Sequence, residues 1–322
     1  MSTKPEEKQQ PQQEQKPSPA KTGAPEAAKG AAASPKLEPQ QQQPGVEAEM
    51  QGASKPIVIH SDYKGSGKMD GLACLISGAD SGIGRSVAVH FAREGADVAI
   101  LYLSDQEDAD AAATEAMAKS EGRRCLVFKG DAGDPETLRD VLGKTIQAFG
   151  RLDVVVGNAG VQHQRAGEWP NVDADSVRRL LKTNVEGYFH LAQEAVRAGA
   201  FKHGDGGGAI VFTSSVLAFE GSGSLIDYSA SKGAEVALTR SLAKLLAKDK
   251  VRVNCVAPGP IVTPLIPATF SAEQMKTWSD SAILGRPGQP SECAPAYVLL
   301  ASRDGSYITG STIHVNGGQY MA

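Results

Sequence analysis

The chain has 322 residues, of which 41% are apolar and 22% charged, with a formal net charge of −4. That is enough for one large domain or two small ones, and the slight acidic excess argues against broad binding to nucleic acid or an anionic membrane. No apolar run approaches the roughly 20 residues that span a bilayer. The N-terminus has neither the apolar core of a secretory signal nor the acid-poor composition of a transit peptide, so a cytoplasmic protein is expected.

Residues 1–55 are rich in Gln, Pro, Ala, Lys and Glu, including the run Gln40–Gln43, and almost devoid of aromatic and β-branched residues. Such a segment buries too little apolar surface to offset its ordering entropy. A disordered tail is expected over 1–55, either solubilising or in contact with a partner or a neighbouring subunit. Residues 56–70, with Ile57-Val58-Ile59-His60 and Tyr63, read as a docking strand or arm. Residues 71–322 read as a single catalytic domain.

Within that domain, short apolar runs alternate with helical patterns. Strands are expected at 72–77, 98–103, 125–129, 152–156, 209–213, 251–256 and 312–315. Helices are expected at about 84–94, 108–119, 175–200, 228–248 and 292–300, and another opens at Asp134-Pro135-Glu136, with Asp as N-cap and Pro at the first helical position. The pattern predicts an α/β fold, one doubly wound parallel sheet of Rossmann type with helices on both faces. Cys74, Cys125, Cys255 and Cys293 form no CxxC pair and read as reduced core thiols. The six histidines show no ligand spacing, so no metal is expected.

The first strand runs into Ser77-Gly78-Ala79-Asp80-Ser81-Gly82-Ile83-Gly84. Glycines there let the backbone approach a pyrophosphate, and the following helix offers its N–H groups and positive end to it. With this Gly-x-x-x-Gly-x-Gly spacing, the chain resembles the short-chain dehydrogenase/reductase family over about residues 68–322. The resemblance implies cofactor contacts from Gly78, Asp80, Ser81, Gly82, Ile83 and Gly84, and from Asp131 beside the adenine. It also implies contacts from Asn158-Ala159-Gly160, and from Pro258, Gly259, Ile261 and Thr263 at the nicotinamide. At the end of the second strand, where an acidic residue would hold the ribose of NAD, the chain has Tyr102. This favours NADP(H) over NAD(H), with Arg85 as a source of positive charge, although Asp105, Glu107 and Asp108 lie close enough to oppose a phosphate.

Tyr228 and Lys232 stand four residues apart at the start of a helix and so share a face. A phenol with a pKa of about 10 exchanges protons poorly near neutrality unless an ammonium stabilises its phenolate. Ser215 lies thirteen residues earlier, where the family's catalytic Ser stands; Ser214 is the adjacent alternative. Asn184 matches the family's fourth catalytic residue, which holds a water in a proton relay to the Lys. Tyr228 and Lys232 also count as cofactor contacts in the family.

The resemblance implies NAD(P)(H)-dependent interconversion of a carbonyl (aldehyde, ketone or sugar) and an alcohol. The stretch Leu225-Ile226-Asp227-Tyr228 and the N-terminal extension look like the glucose/ribitol-dehydrogenase-like branch. Alternatives are 3-oxoacyl-thioester reduction, for which the lid region 264–286 offers only Lys276 and Arg286, and a non-catalytic dinucleotide sensor or scaffold. Relatives pair their helices near 175–200 and 228–248, so a homodimer or homotetramer is expected. Met275 and Trp278 read as lid packing, His163 as a further candidate for the substrate cleft, and Glu220 and Asp227 as candidates to meet a polyol. Three positions depart from the family pattern: Ser77 replaces Thr, Gly157 replaces the first Asn of Asn-Asn-Ala-Gly, and Asn316 replaces Asp. The change at Gly157 removes a side chain that usually braces the central sheet.

Overall fold

The structure, a computed structural model, describes Met1 and residues 41–50, 55–202 and 207–322. The chain divides into two units, Met1–Ala31 and Ala32–Ala322, and every element below belongs to the second. Most of the expected tail lies outside the described residues.

Seven parallel strands are present among the described residues: β1 (Ala73–Ser77), β2 (Asp97–Tyr102), β3 (Cys125–Lys129), β4 (Val154–Gly157), β5 (Gly208–Thr213), β6 (Val251–Pro258) and β7 (Thr312–Val315), in the spatial order β3-β2-β1-β4-β5-β6-β7. β1, β2, β4 and β5 are buried along their whole length, as expected of a sheet covered on both faces. Cys74 pairs with Val98 on one side and Val154 on the other, so the strand order reverses at β1. The cleft outside the strands' C-terminal ends opens at that reversal.

The helices are α1 (Gly82–Arg93), α2 (Asp108–Ser120), α3 (Pro135–Phe149), α4 (Ala174–Leu181), α5 (Gly187–Arg197), α6 (Leu217–Glu220), α7 (Ile226–Leu246) and α8 (Pro290–Ala301). One core layer joins the sheet to α1, α2 and α8, through Phe91, Ala118 and Tyr297. The other joins it to α3, α5 and α7, through Leu142, Leu191 and Val236. Asp134 caps α3 as expected, accepting from the Glu136 and Thr137 N–H groups. The helix expected over 175–200 is instead α4 and α5 joined by a π-helical turn, Lys182–Glu186, with Asn184 buried in it. Such turns often mark functional sites.

The segment 56–70 lies along α1 and α8 without forming a strand. The Ile57 carbonyl accepts from Ser291 N at 3.0 Å, and Tyr63 Oη donates to Glu94 at 2.6 Å. The domain also begins earlier than composition implied: within residues 41–50, Glu47 and Met50 are buried. The four cysteines are buried and unpaired.

Candidate active site

The cleft has a volume of about 540 Å³. Its floor is the loop between β1 and α1, where Gly78 and Gly82 take φ of +62° and +53°. A Cβ on Gly78 would lie 2.7 Å from Ala159 Cα, and one on Gly84 would lie 2.0 Å from the Gly78 oxygen. Only glycine permits this closeness. Asn158 braces the loop: its amide donates to the Gly78 carbonyl at 2.7 Å while its Oδ1 accepts from Thr213 at 3.1 Å. Ser77 keeps the hydroxyl of the threonine it replaces and accepts from the Asn158 and Ala159 N–H groups. The close-packed glycine loop, the start of α1 and a long cleft fit an extended dinucleotide.

At the end of β2, Tyr102 Oη donates to Asp108 at 2.6 Å, and Lys129 pairs with Asp105 and Asp108. Arg85 does not supply the charge assigned to it in sequence: it is buried, ion-paired with Glu47 and Asp110, and absent from the cleft wall. A buried guanidinium has to find carboxylates within the core, and Arg85 meets two there, Glu47 and Asp110. The wall instead presents Asp80 and Glu107. Burial pushes both carboxyls up, and the Asp80 charge adds to the effect on Glu107, which reaches about 7. Asp80 Oδ2 is buried without a hydrogen-bond partner.

The opposite wall carries the catalytic candidates. Tyr228 lies in the first turn of α7, near the Ser215 hydroxyl just beyond β5, which accepts from Leu217 N at 3.2 Å. Ser214 is occupied elsewhere, donating to the Lys232 carbonyl at 2.9 Å. The Lys232 ammonium lies 5.4 Å from the Tyr228 ring centroid and donates to the Thr213 carbonyl at 2.8 Å. It also pairs at 2.8 Å with Glu235, a residue the motif reading does not single out. Burial raises Tyr228 above the ordinary phenol value; Lys232 and Ser215 pull it down, and Glu235 works against them. The net direction is therefore opposite to that expected from Tyr228 and Lys232 alone. Burial likewise pushes Glu235 up, to about 8, against the pull of Lys232.

Asn184 is enclosed beneath this wall. It exchanges hydrogen bonds with both backbone groups of Val161 at 2.9 Å and donates to Ser231. A Cβ on Gly160 would lie 3.5 Å from Asn184 Oδ1 and 3.6 Å from Lys232 Nζ, so the three residues close on one point. All the other sequence-derived site residues line the cleft except Gly84, which packs under the loop.

Several side candidates fall outside. His163 is not on the cleft wall. Asp227 is buried in an ion pair with Arg165 at 2.6 Å, and Glu220 accepts from Gln319. Asp131 lines the cleft with its carboxylate engaged by Lys182 and Gly133 N. Trp278 lines the cleft, while Met275 packs against Met50, Val262 and Ile266. Among the described residues no His, Cys, Asp and Glu cluster forms a metal site. Gln43, Gln162 and Gln164 also line the cleft, and no motif announces them.

A family model described as enoyl-(acyl carrier protein) reductase matches residues 78–319. The chain is 43% identical to the NADPH-dependent aldehyde reductase 1, chloroplastic, of Arabidopsis thaliana, over 87% of this chain and 96% of that one. It is 41% identical to the glucose and ribitol dehydrogenase of Daucus carota, over 87% and 94% respectively. A short-chain dehydrogenase from Burkholderia cenocepacia J2315, solved in complex with NADP, superposes with a TM-score of 0.71 at 30% identity, covering 78% of this chain and 99% of that one. With the glycine loop, the strand order and this similarity in agreement, the chain belongs to the short-chain dehydrogenase/reductase family of oxidoreductases.

Proposed function

We propose that this protein interconverts a carbonyl (aldehyde, ketone or sugar) and its alcohol with NAD(P)(H), using Tyr228 as the general acid/base. The observation that carries this reading is the convergence of Ser215, Tyr228 and Lys232 on one wall of a cleft whose floor is the glycine loop. Gly78, Ser81, Gly82, Ile83, Asn158, Ala159, Gly160, Pro258, Gly259, Ile261 and Thr263 would hold the dinucleotide, which when bound supplies the hydride.

The protein's own part is position and proton control. The Ser215 hydroxyl, near the Tyr228 phenol, would fix the substrate oxygen where Tyr228 can reach it. Tyr228, raised by burial, keeps its proton through the neutral range and can give it to a developing alkoxide, which suits reduction near neutrality. Lys232 holds positive charge beside the phenol and would bind the nicotinamide ribose. Asn184, enclosed next to Lys232, would hold the relay water.

Leu225 and Phe270 pack beside Tyr228, and Gln162, Gln164, Thr277 and Trp278 also line the cleft, all uncharged. This supports a neutral substrate. Both cations of the lid are engaged, Lys276 by Glu273 and Arg286 by Glu292, which counts against docking of an acidic acyl carrier. A sensor without activity is opposed by the presence of all four catalytic candidates. The buried, unpaired thiols support a reducing, cytoplasmic setting, and the exposed Phe189 and Val196 of α5 support assembly into a dimer or tetramer. Among the described residues, no helix is long and apolar enough to cross a membrane.

Coenzyme choice follows from Asp80 and Glu107. Above about pH 7 the Glu107 carboxylate ionises and opposes a 2′-phosphate, while below it the neutral acid does not. The ratio of kcat/KM for NADPH over NADH is therefore expected to fall between pH 6 and pH 8, and to lose that slope in Glu107→Gln. Rates of coenzyme consumption with small aldehydes and sugars measure it. A ratio that is flat in the parent protein would remove Glu107 from coenzyme selection.

A further inference from the structure

Residues 41–50 have the composition of a solvated tail, yet Glu47 and Met50 are only 1% and 3% exposed. Glu47 accepts from the Gly82 N–H at 2.7 Å, within the glycine loop, and pairs with the buried Arg85. Asp110 of α2 in turn accepts from the Glu47 and Ala48 N–H groups at 2.7 and 3.1 Å.

The other end of the segment reaches the substrate side. Gln43 donates to the Gln162 carbonyl, in the loop after β4, and to the Thr269 hydroxyl of the lid at 3.4 Å. Gln41 N donates to the Pro267 carbonyl at 2.9 Å. A Cβ on Gly45 would lie 2.3 Å from the Pro264 carbonyl oxygen, so this approach to the lid admits only glycine. Met50 completes the apolar cluster with Val262, Ile266 and Met275. One decapeptide thus touches the glycine loop, the loop after β4 and the lid.

We propose that residues 41–50 are part of the active site, Glu47 positioning the glycine loop and Gln43 and Gly45 holding the lid against the loop after β4. The lid region 264–286 contains only turns, bends and one short 3-10 segment, so its order depends on what it rests against. A lid held in place beforehand spends less ordering entropy when ligand binds. The inference rests on the reading above only in taking NAD(P)H as the ligand of the cleft.

The test uses the full chain and two variants. Gly45→Ala adds the clashing Cβ; Gln43→Ala removes the brace without adding bulk, and decides the matter alone should Gly45→Ala fail to fold. Amide hydrogen exchange over 264–286 in the coenzyme-free protein, and NADPH affinity by fluorescence titration, are read alongside the melting temperature. Lid amides are expected to exchange about tenfold faster, and the NADPH Kd to rise about tenfold, or 1.4 kcal/mol, in Gly45→Ala. Gln43→Ala moves both in the same direction by less, and KM for a carbonyl substrate rises more than kcat falls. Unchanged lid exchange and unchanged Kd in the folded variants would overturn the proposal and leave the segment a passive cover. If the chain binds NADPH but reduces no carbonyl, the reductase reading fails while exchange and affinity still decide this one.

Discussion

Lys232 can lower the Tyr228 pKa only with charge that Glu235 leaves uncancelled. The groups facing the Glu235 carboxylate are Lys232 and Tyr228 on its own helix, Tyr188 on α5, Cys255 on β6 and Tyr297 on α8. Only Lys232 is cationic, and Glu235 Oε2 is buried without a partner. Glu235→Gln keeps the side-chain size and frees the ammonium, so Tyr228 loses its proton more easily. The alkaline limb of kcat/KM for the proposed carbonyl reduction, which calls for a protonated Tyr228, is expected to move about one pH unit lower. An unmoved limb would show that Glu235 does not act through Lys232. That Tyr228, Lys232 and Ser215 come together in one cleft was legible in sequence, because their spacing carries that placement. Glu235 was not, because a Glu three residues after a Lys on a helix reads as an ordinary solvated pair; only its burial gives it a role.

At the level of elements, apolar runs located the strands to within two residues at either end, most directly for β1, β2, β4 and β5, which are buried along their whole length; the partly buried edge strands β3 and β7 also fall at the expected bounds. The break between α4 and α5 was not legible, since a π turn inserts a residue without changing the composition. The close fit around Gly157 was equally hidden. A Cβ there would lie 2.9 Å from Phe212 and 3.1 Å from Tyr188, so rings occupy the space into which the family's Asn would extend. Gly157→Asn, which restores the family residue, is therefore expected to destabilise the fold by about 1–3 kcal/mol through overpacking. A urea midpoint that falls at unchanged m-value would report it. A midpoint that rises would mean the missing brace outweighs the filled space. The segment 41–50 escaped the sequence reading for a related reason: its anchors, Glu47 and Met50, are single residues in a polar stretch, and average composition over 55 residues conceals them.

For the whole molecule, the strand order reverses at β1, and the resulting cleft brings together residues from Gln43 to Gln319. The fold positions a phenol, a charge beside it and a glycine cradle around one volume, and the chemistry proposed for the chain depends on all three acting together. Replacing Tyr228 by Phe removes the proposed proton donor and little else, since Oη is the only heavy atom lost. The central claim is tested by measuring NADPH affinity and carbonyl turnover on the same preparations of the parent chain and Tyr228→Phe. The account predicts an NADPH Kd within about twofold of the parent and turnover reduced by about 10²–10⁴-fold, the range a positioned acid supplies. Turnover that persists in Tyr228→Phe at near-parent rate would contradict it and place the proton donor elsewhere in the cleft.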